Sequence, residues 1–143
     1  MIKRERWLEL RDVDFTKLVN EKQGMSYISW GDMEYLVRTH LTDEELSIPV
    51  SHTVDDGIVT VAIGTSRYPL AVSDFRNNAI ENPDATDICD TLQRATVKAY
   101  ARHFGLAHKL YESSYYKEPS AKPRRTPSRK ANENQPNKSD TFF

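Results

Sequence analysis

The chain has 143 residues, the length of a single domain, and its 20 basic and 21 acidic residues nearly cancel. The charges are unevenly spread: residues 117–143 hold seven basic and three acidic residues (+4), so residues 1–116 hold 13 basic and 18 acidic ones (−5). One cysteine excludes an internal disulfide, and no apolar run is long enough to cross a membrane, so a cytoplasmic protein without a membrane partner is expected.

The first 24 residues are charged, with only scattered apolar positions. Asp14 is suited to cap a short helix over residues 15–22, which Gly24 would end. An aromatic-rich link, residues 25–30, follows. Ser29 then predicts the N-cap of an amphipathic helix ending near His40, because apolar residues recur after it at three- and four-residue spacing.

From Leu46 the apolar period changes from 3.6 toward 2, which predicts strands. The first covers about residues 48–53, and Asp55-Asp56-Gly57 is a hairpin-turn signal before a second strand, Ile58–Ile63. A third strand covers Arg67–Val72, where Pro69 favours an edge position because proline has no N–H to donate. Residues 73–84 are predicted to be an exposed connection.

One long helix is predicted over about Ala85–Phe104, started by Asp84 or Thr86 and stopped at Gly105. It is apolar on two sides and is therefore expected to pack on two sides. Between these faces runs a basic stripe, Arg94, Lys98 and Arg102, at four-residue spacing. The predicted fold class is α+β, with a β-β-β-α core in which an antiparallel sheet packs on the long helix.

Residues 117–143 differ in composition from the rest of the chain. They contain four of the seven prolines and few apolar residues, so burial cannot offset the entropy lost on ordering. The predicted organisation is a folded domain at 1–116 and a disordered, basic, proline-rich tail at 117–143.

The residues offer little support for catalysis. No phosphate-binding glycine motif is present, and the four histidines lack metal-ligand spacing, with a surface role expected for His103 and His108. Asp84, Asp87 and Asp90 cluster at the start of the long helix, which fits either a metal-dependent nuclease or the ordinary preference of acids for a helix N-terminus. The protein is not expected to be an enzyme or to use a cofactor or metal.

Binding of nucleic acid has better support. The basic stripe is joined by three residues of the preceding strand and loop, Arg67, Tyr68 and Arg76. Cations follow phosphates and aromatic rings stack on bases, so these six residues are the candidate DNA-binding set. The alternative is a solvated polar face, and the acidic body restricts any DNA site to a confined groove.

Three blocks resemble a known family. Asp87–Leu106, with Arg94-Ala95, Lys98-Ala99 and Phe104-Gly105-Leu106, is similar to the signature of phage single-strand annealing proteins of the Sak-three type, in the Rad-fifty-two superfamily. The block Ser26-Tyr27-Ile28-Ser29-Trp30 matches the family's SYISW, and residues 68–77 form the third block. These blocks cover most of residues 25–112.

The resemblance implies an ATP-independent single-strand annealing protein of phage homologous recombination, acting in the bacterial host cytoplasm. It implies a homo-oligomeric ring or filament with single-stranded DNA in a basic groove, its bases exposed to a complementary strand. Arg94 matches a DNA-contacting arginine of the superfamily, whereas neighbouring basic positions are Gln93 and Val97 here. The family's Gly-Leu-Gly is Gly105-Leu106-Ala107.

A single-strand binding protein that protects DNA without annealing it is the main alternative. The C-terminus, Ser139–Phe143, resembles the phenylalanine-ended tip of bacterial proteins of that class, although it has only one acid. Whichever of the two functions applies, Phe142 and Phe143 are expected to dock on a host single-strand binding or replication protein, or on a neighbouring subunit. An unselected disordered end is equally compatible with the residues.

Overall fold

A computed structural model describes residues 2–74 and 76–112, which adopt an α+β fold, as predicted. The elements in chain order are α1 (Arg4–Arg11), β1 (Asn20–Lys22), β2 (Met25–Tyr27), α2 (Trp30–His40), α3 (Asp43–Leu46), β3 (Val50–Asp55), β4 (Ile58–Ile63), β5 (Ser66–Ala71) and α4 (Ala85–Phe104). Short 3-10 helices occur at Thr16–Leu18 and His108–Tyr111. The predicted tail, residues 117–143, lies outside the described residues.

The main sheet is antiparallel with the strand order β3-β4-β5. Asp55 pairs with Ile58, and the two residues between them, Asp56 and Gly57, have φ values of 53° and 76°. Positive φ at both turn positions matches the twist of a tight hairpin, so the Asp-Gly signal is confirmed. The strand containing Pro69, β5, is an edge strand, as the missing N–H predicts.

One face of the sheet is only partly covered by α4. On β4 the residues that point toward the helix, Val59, Val61 and Ile63, are buried, and α4 packs on β4 and β5. Their cross-strand partners on β3 include Val50 and Val54, which remain 44% exposed. The helix therefore lies over two strands and leaves β3 uncovered.

The long helix has the predicted bounds because both ends are satisfied by specific residues. Asp84 and Asp87 each accept a hydrogen bond from the other's backbone N–H, at 2.8 and 3.0 Å, forming a capping box. At the C-terminal end Gly105 has φ 93°, which a residue without Cβ adopts at low cost. α4 also packs on α1 and α2, so the predicted two-sided packing is confirmed.

The N-terminal region differs from the prediction. Asp14 accepts hydrogen bonds from the backbone and hydroxyl of Thr16, but it starts only one 3-10 turn, so the helix predicted over residues 15–22 is wrong. The chain instead forms the β1–β2 hairpin, with Gln23 and Gly24 at φ 51° and 82°. Gly24 therefore belongs to a hairpin turn and does not end a helix.

Helix α1 was not predicted and is held by contacts distant in sequence. Arg6 forms a two-point hydrogen-bonded ion pair with Glu45, at 2.9 and 2.8 Å, and Arg11 forms one with Glu112, at 2.8 and 2.7 Å. The hydrogen bonds from Arg11, with one from His108, hold the pKa of Glu112 at about 2. These pairs fix α1 against α3 and the end of the described chain.

Candidate nucleic-acid interface

The predicted basic stripe runs beside the edge strand β5. Tyr68, early in β5, contacts Arg102 and His103 near the end of α4, whereas Ser73, after β5, contacts Thr91 and Arg94. The helix and the strand are therefore antiparallel. Arg102 lies eight positions after Arg94, so the stripe is about 12 Å long at 1.5 Å per residue.

Arg94 is half-buried, and its guanidinium group forms hydrogen bonds with other residues of the protein. Nη2 donates to the carbonyl oxygen and the hydroxyl of Ser73, while the buried Nε has no partner in the described part of the chain. Burial lowers the pKa of Arg94, and the nearby carboxylates of Asp90 and Asp74 oppose that shift. Arg94 thus ties α4 to the segment that leaves β5, so its side chain has a structural contact as well as a place in the basic stripe.

Lys98 lies one turn further along and is also half-buried. Among the described residues it forms no ion pair and no side-chain hydrogen bond. Burial lowers the pKa of its ammonium group, and the positive charge of Arg94 lowers it further. A partly desolvated cation without a carboxylate partner interacts more strongly with an incoming anion than a fully hydrated one does.

Arg102 and Tyr68 form the third part of the stripe. The guanidinium carbon of Arg102 lies 5.1 Å from the centre of the Tyr68 ring, a cation–π arrangement. The Tyr68 hydroxyl hydrogen-bonds to Nδ1 of His103 at 2.9 Å. His103 is only 8% exposed and burial lowers its pKa, so the surface role expected for it is wrong. His103 instead fixes the orientation of the Tyr68 ring.

The other two candidates lie apart from this row. Arg67 is exposed and adjacent to Tyr68 in β5, so its side chain is on the opposite face of the sheet. Arg76 is exposed in the loop after β5 and donates to Oε1 of Gln23 in the β1–β2 turn, at 2.7 Å. The structure therefore brings Arg94, Lys98, Arg102 and Tyr68 together along β5, but neither Arg67 nor Arg76 joins them.

An open cleft lies at the Arg102 end of the stripe, and the sequence did not predict it. Its volume is about 520 Å³, and its lining includes Arg4 and Trp7 of α1 together with Tyr68, Arg102 and His103. Nε1 of Trp7 donates to the backbone oxygen of Arg102 at 3.0 Å, which seats α1 on the end of α4. The cleft combines aromatic rings with two arginines.

The three aspartates that suggested a nuclease, Asp84, Asp87 and Asp90, are not arranged as a metal site. Asp84 and Asp87 form the capping box, and Asp90 has its pKa raised, chiefly by burial. Across residues 2–74 and 76–112, no three His, Cys, Asp or Glu side chains are grouped so that they could hold a metal ion. In the same ranges no helix is long and apolar enough to cross a membrane.

Comparison with known proteins decides the family. The model of the family described as Sak single strand annealing protein matches residues 5–141. The chain belongs to the Sak family. No curated protein and no solved structure matches the sequence. The Sak match extends beyond the blocks at residues 25–112, since it includes most of α1 and much of the region after the described fold.

Membership in the Sak family identifies the protein as a DNA-binding protein of the single-strand annealing class. It also changes the importance of α1, which falls almost entirely within the match. The sequence did not point to two candidate residues of α1, Trp7 within the matched range and Arg4 just before it. A cation and an aromatic ring three residues apart on one helix could have indicated a nucleic-acid contact. The helix itself was not predicted, because residues 4–11 contain too few apolar residues at helical spacing.

Proposed function

We propose that the chain binds single-stranded DNA along the basic stripe and anneals it to a complementary strand without ATP, in phage homologous recombination. The observation that supports this most is the row of Arg94, Lys98 and Arg102 beside Tyr68, in a member of a single-strand annealing family. The cations neutralise the phosphates of one strand, its bases stay accessible, and Watson–Crick pairing selects the partner. No covalent bond is made or broken.

A mixing assay with two complementary oligonucleotides tests this proposal. The full chain, without nucleotide or metal, should speed duplex formation, and Lys98→Gln combined with Arg102→Gln should reduce the gain at moderate salt. The matched control is Arg38→Gln, which removes an exposed arginine of α2 beside Glu34. Slower pairing with the wild-type chain would support the DNA-protecting alternative. DNA degradation in a separate, prolonged incubation with magnesium or manganese would support a metal-dependent nuclease.

We further propose that the protein assembles with copies of itself through β3. The apolar faces of α4 are covered by the sheet, α1 and α2, so the uncovered apolar surface lies elsewhere. Val50 and Val54 lie on the part of the helix-facing sheet surface that α4 leaves uncovered, and each is 44% exposed. They are next to the unpaired backbone of β3, which is an edge strand. A second copy could cover both features.

Light scattering of the wild type and of Val54→Lys tests this assembly. The wild type should be an oligomer at micromolar concentration, and the variant should be smaller. Tyr35→Lys, at a 60% exposed position on α2, is the matched control and should not change the mass. A wild-type monomer with and without DNA would refute the proposal.

The tail supplies the remaining proposed partner contacts. Its basic cluster from Lys122 to Lys130 would raise the rate of DNA association by long-range attraction, and Phe142 and Phe143 would dock on a host single-strand binding or replication protein. Truncation after Tyr116 should slow annealing at low salt. Equal rates would refute the electrostatic role, and an unchanged set of bound proteins after deletion of the two phenylalanines would refute docking.

A further inference from the structure

We propose that the cleft between α1, β5 and α4 is a subsite that holds one unstacked base of the bound single strand, with its phosphate on Arg4 or Arg102. This inference rests on the proposed function and names the part of the DNA that the site recognises. The cleft lies at the end of the basic stripe, because Arg102 is both the last cation of the stripe and part of the cleft lining. A strand that follows the stripe therefore reaches it.

The aromatic side chains of the cleft are held in place from behind. Trp7 is fixed by its hydrogen bond to the backbone of Arg102 and by the edge of the His108 ring, whose centre is 4.9 Å away. The Tyr68 ring is held at its hydroxyl by His103, whose ring centre lies 5.9 Å away at 90°. Rings that are already oriented lose little entropy when a base stacks on them.

The charges of the cleft favour an anion. Helix α1 contains three arginines, and two of them, Arg6 and Arg11, are used in ion pairs with Glu45 and Glu112. The third, Arg4, is exposed, lines the cleft and forms no ion pair within the described residues. Arg102 likewise lacks an acidic partner there, and no acidic residue lines the cleft. A site with two guanidinium groups that have no acidic partner among the described residues, in a body of net charge −5, favours a phosphate-bearing ligand.

The size and chemistry of the cleft fit one nucleotide rather than a duplex. A volume of about 520 Å³ is within the range of roughly 300–1,000 Å³ typical of small-ligand sites. Bases in a duplex are stacked and paired, so no base is available to enter. Occupation of the cleft would thus distinguish the single-stranded substrate from the annealed product. The duplex would not make this contact and would therefore dissociate from the protein more readily.

Tryptophan fluorescence tests the proposal directly, because the chain has only two tryptophans. The Trp30→Phe variant leaves Trp7 as the sole reporter, and Trp30 is a half-exposed residue of α2 outside the cleft. Titration with a fluorescein-labelled oligo(dT) should quench Trp7, while the anisotropy of the label reports binding in the same sample. An oligonucleotide with abasic sites, and a preformed duplex, should bind without comparable quenching.

A pair of charge variants provides the second measurement. Arg4→Gln should weaken oligo(dT) binding by about five-fold or more and lower the log–log salt slope by about 0.7, while Arg38→Gln should change neither. Binding with unchanged Trp7 fluorescence, equal quenching by abasic or duplex DNA, or wild-type behaviour of Arg4→Gln would overturn the subsite and leave the proposed function standing. Absence of any oligo(dT) binding by the wild type would overturn both.

Discussion

Replacement of Arg94 by alanine should weaken the fold as well as DNA binding. The side chain donates to the carbonyl and hydroxyl of Ser73, a residue that is only 5% exposed. A hydrogen bond from a charged donor contributes about 1.5–3 kcal/mol. Because Thr91 Oγ1 also donates to that carbonyl, at 3.3 Å, the oxygen keeps one partner. We therefore expect Arg94→Ala to lower the free energy of unfolding by about 1–2 kcal/mol.

Urea denaturation followed by circular dichroism measures this loss. For an m-value near 2 kcal/mol/M, the midpoint should fall by about 0.5–1 M. Wild type and variant must be compared at one protein concentration, because assembly adds to apparent stability. Arg38→Ala is the matched control: it removes an exposed i,i+4 ion pair with Glu34 and should cost no more than about 0.5 kcal/mol.

The same variant separates the two roles of Arg94. If the guanidinium also contacts a phosphate, the log–log salt slope of single-strand binding should fall by about 0.7, measured where both proteins are folded. An unchanged urea midpoint would refute the proposed link between α4 and Ser73. An unchanged slope with a lowered midpoint would leave Arg94 as a structural residue and move DNA contact to the other end of the stripe.

Lys98→Arg should extend single-strand binding to higher pH, because burial lowers the pKa of Lys98 and the lysine loses its charge earlier than an ordinary lysine as pH rises. Identical binding of the two proteins across the alkaline pH range would contradict this. Glu112→Gln should lower the free energy of unfolding at pH 7 by about 0.5–1 kcal/mol. This difference should disappear as pH falls from 4.5 toward 2, because Arg11 lowers the pKa of Glu112 to about 2. A difference that does not change with pH would be inconsistent with the ion pair. Gly105→Ala should lower the melting temperature far more than Gly24→Ala. Both glycines have positive φ, but only at Gly105 would an added Cβ lie 2.6 Å from a backbone oxygen of α1. Equal decreases in melting temperature would show that this close approach is unimportant.

Local signals predicted the elements that have local causes. The bounds of α4 follow from the Asp84 cap and Gly105, and the β3–β4 hairpin follows from the Asp-Gly pair between apolar alternations. These features depend on backbone conformation and short-range hydrogen bonds, so a few neighbouring residues are sufficient to indicate them. The predicted edge position of Pro69 has the same origin.

The parts that were missed depend on distant contacts. Among the residues of α1 only Leu10 is fully buried, and the helix is held by Glu45, Glu112 and the backbone of Arg102. The strands β1 and β2 have three residues each and little apolar content, so no periodicity could reveal them. For the same reason the sequence indicated the basic stripe but not the cleft, which exists only where α1 meets α4.

During synthesis of the chain, α1 emerges first and the residues that complete the cleft emerge much later. Arg11 and Glu112 are separated by 101 positions, and Trp7 and Arg102 by 95, so α1 leaves the ribosome long before its docking surface. The strands β3, β4 and β5 are joined by two-residue loops, and α4 follows β5 directly in the chain after residues 72–84, so these elements can form from neighbouring segments. We expect α1 to dock last, after the end of α4 has emerged. A nascent chain would then expose its basic stripe before it can hold a base in the cleft, so full recognition of single strands would begin only with the finished domain.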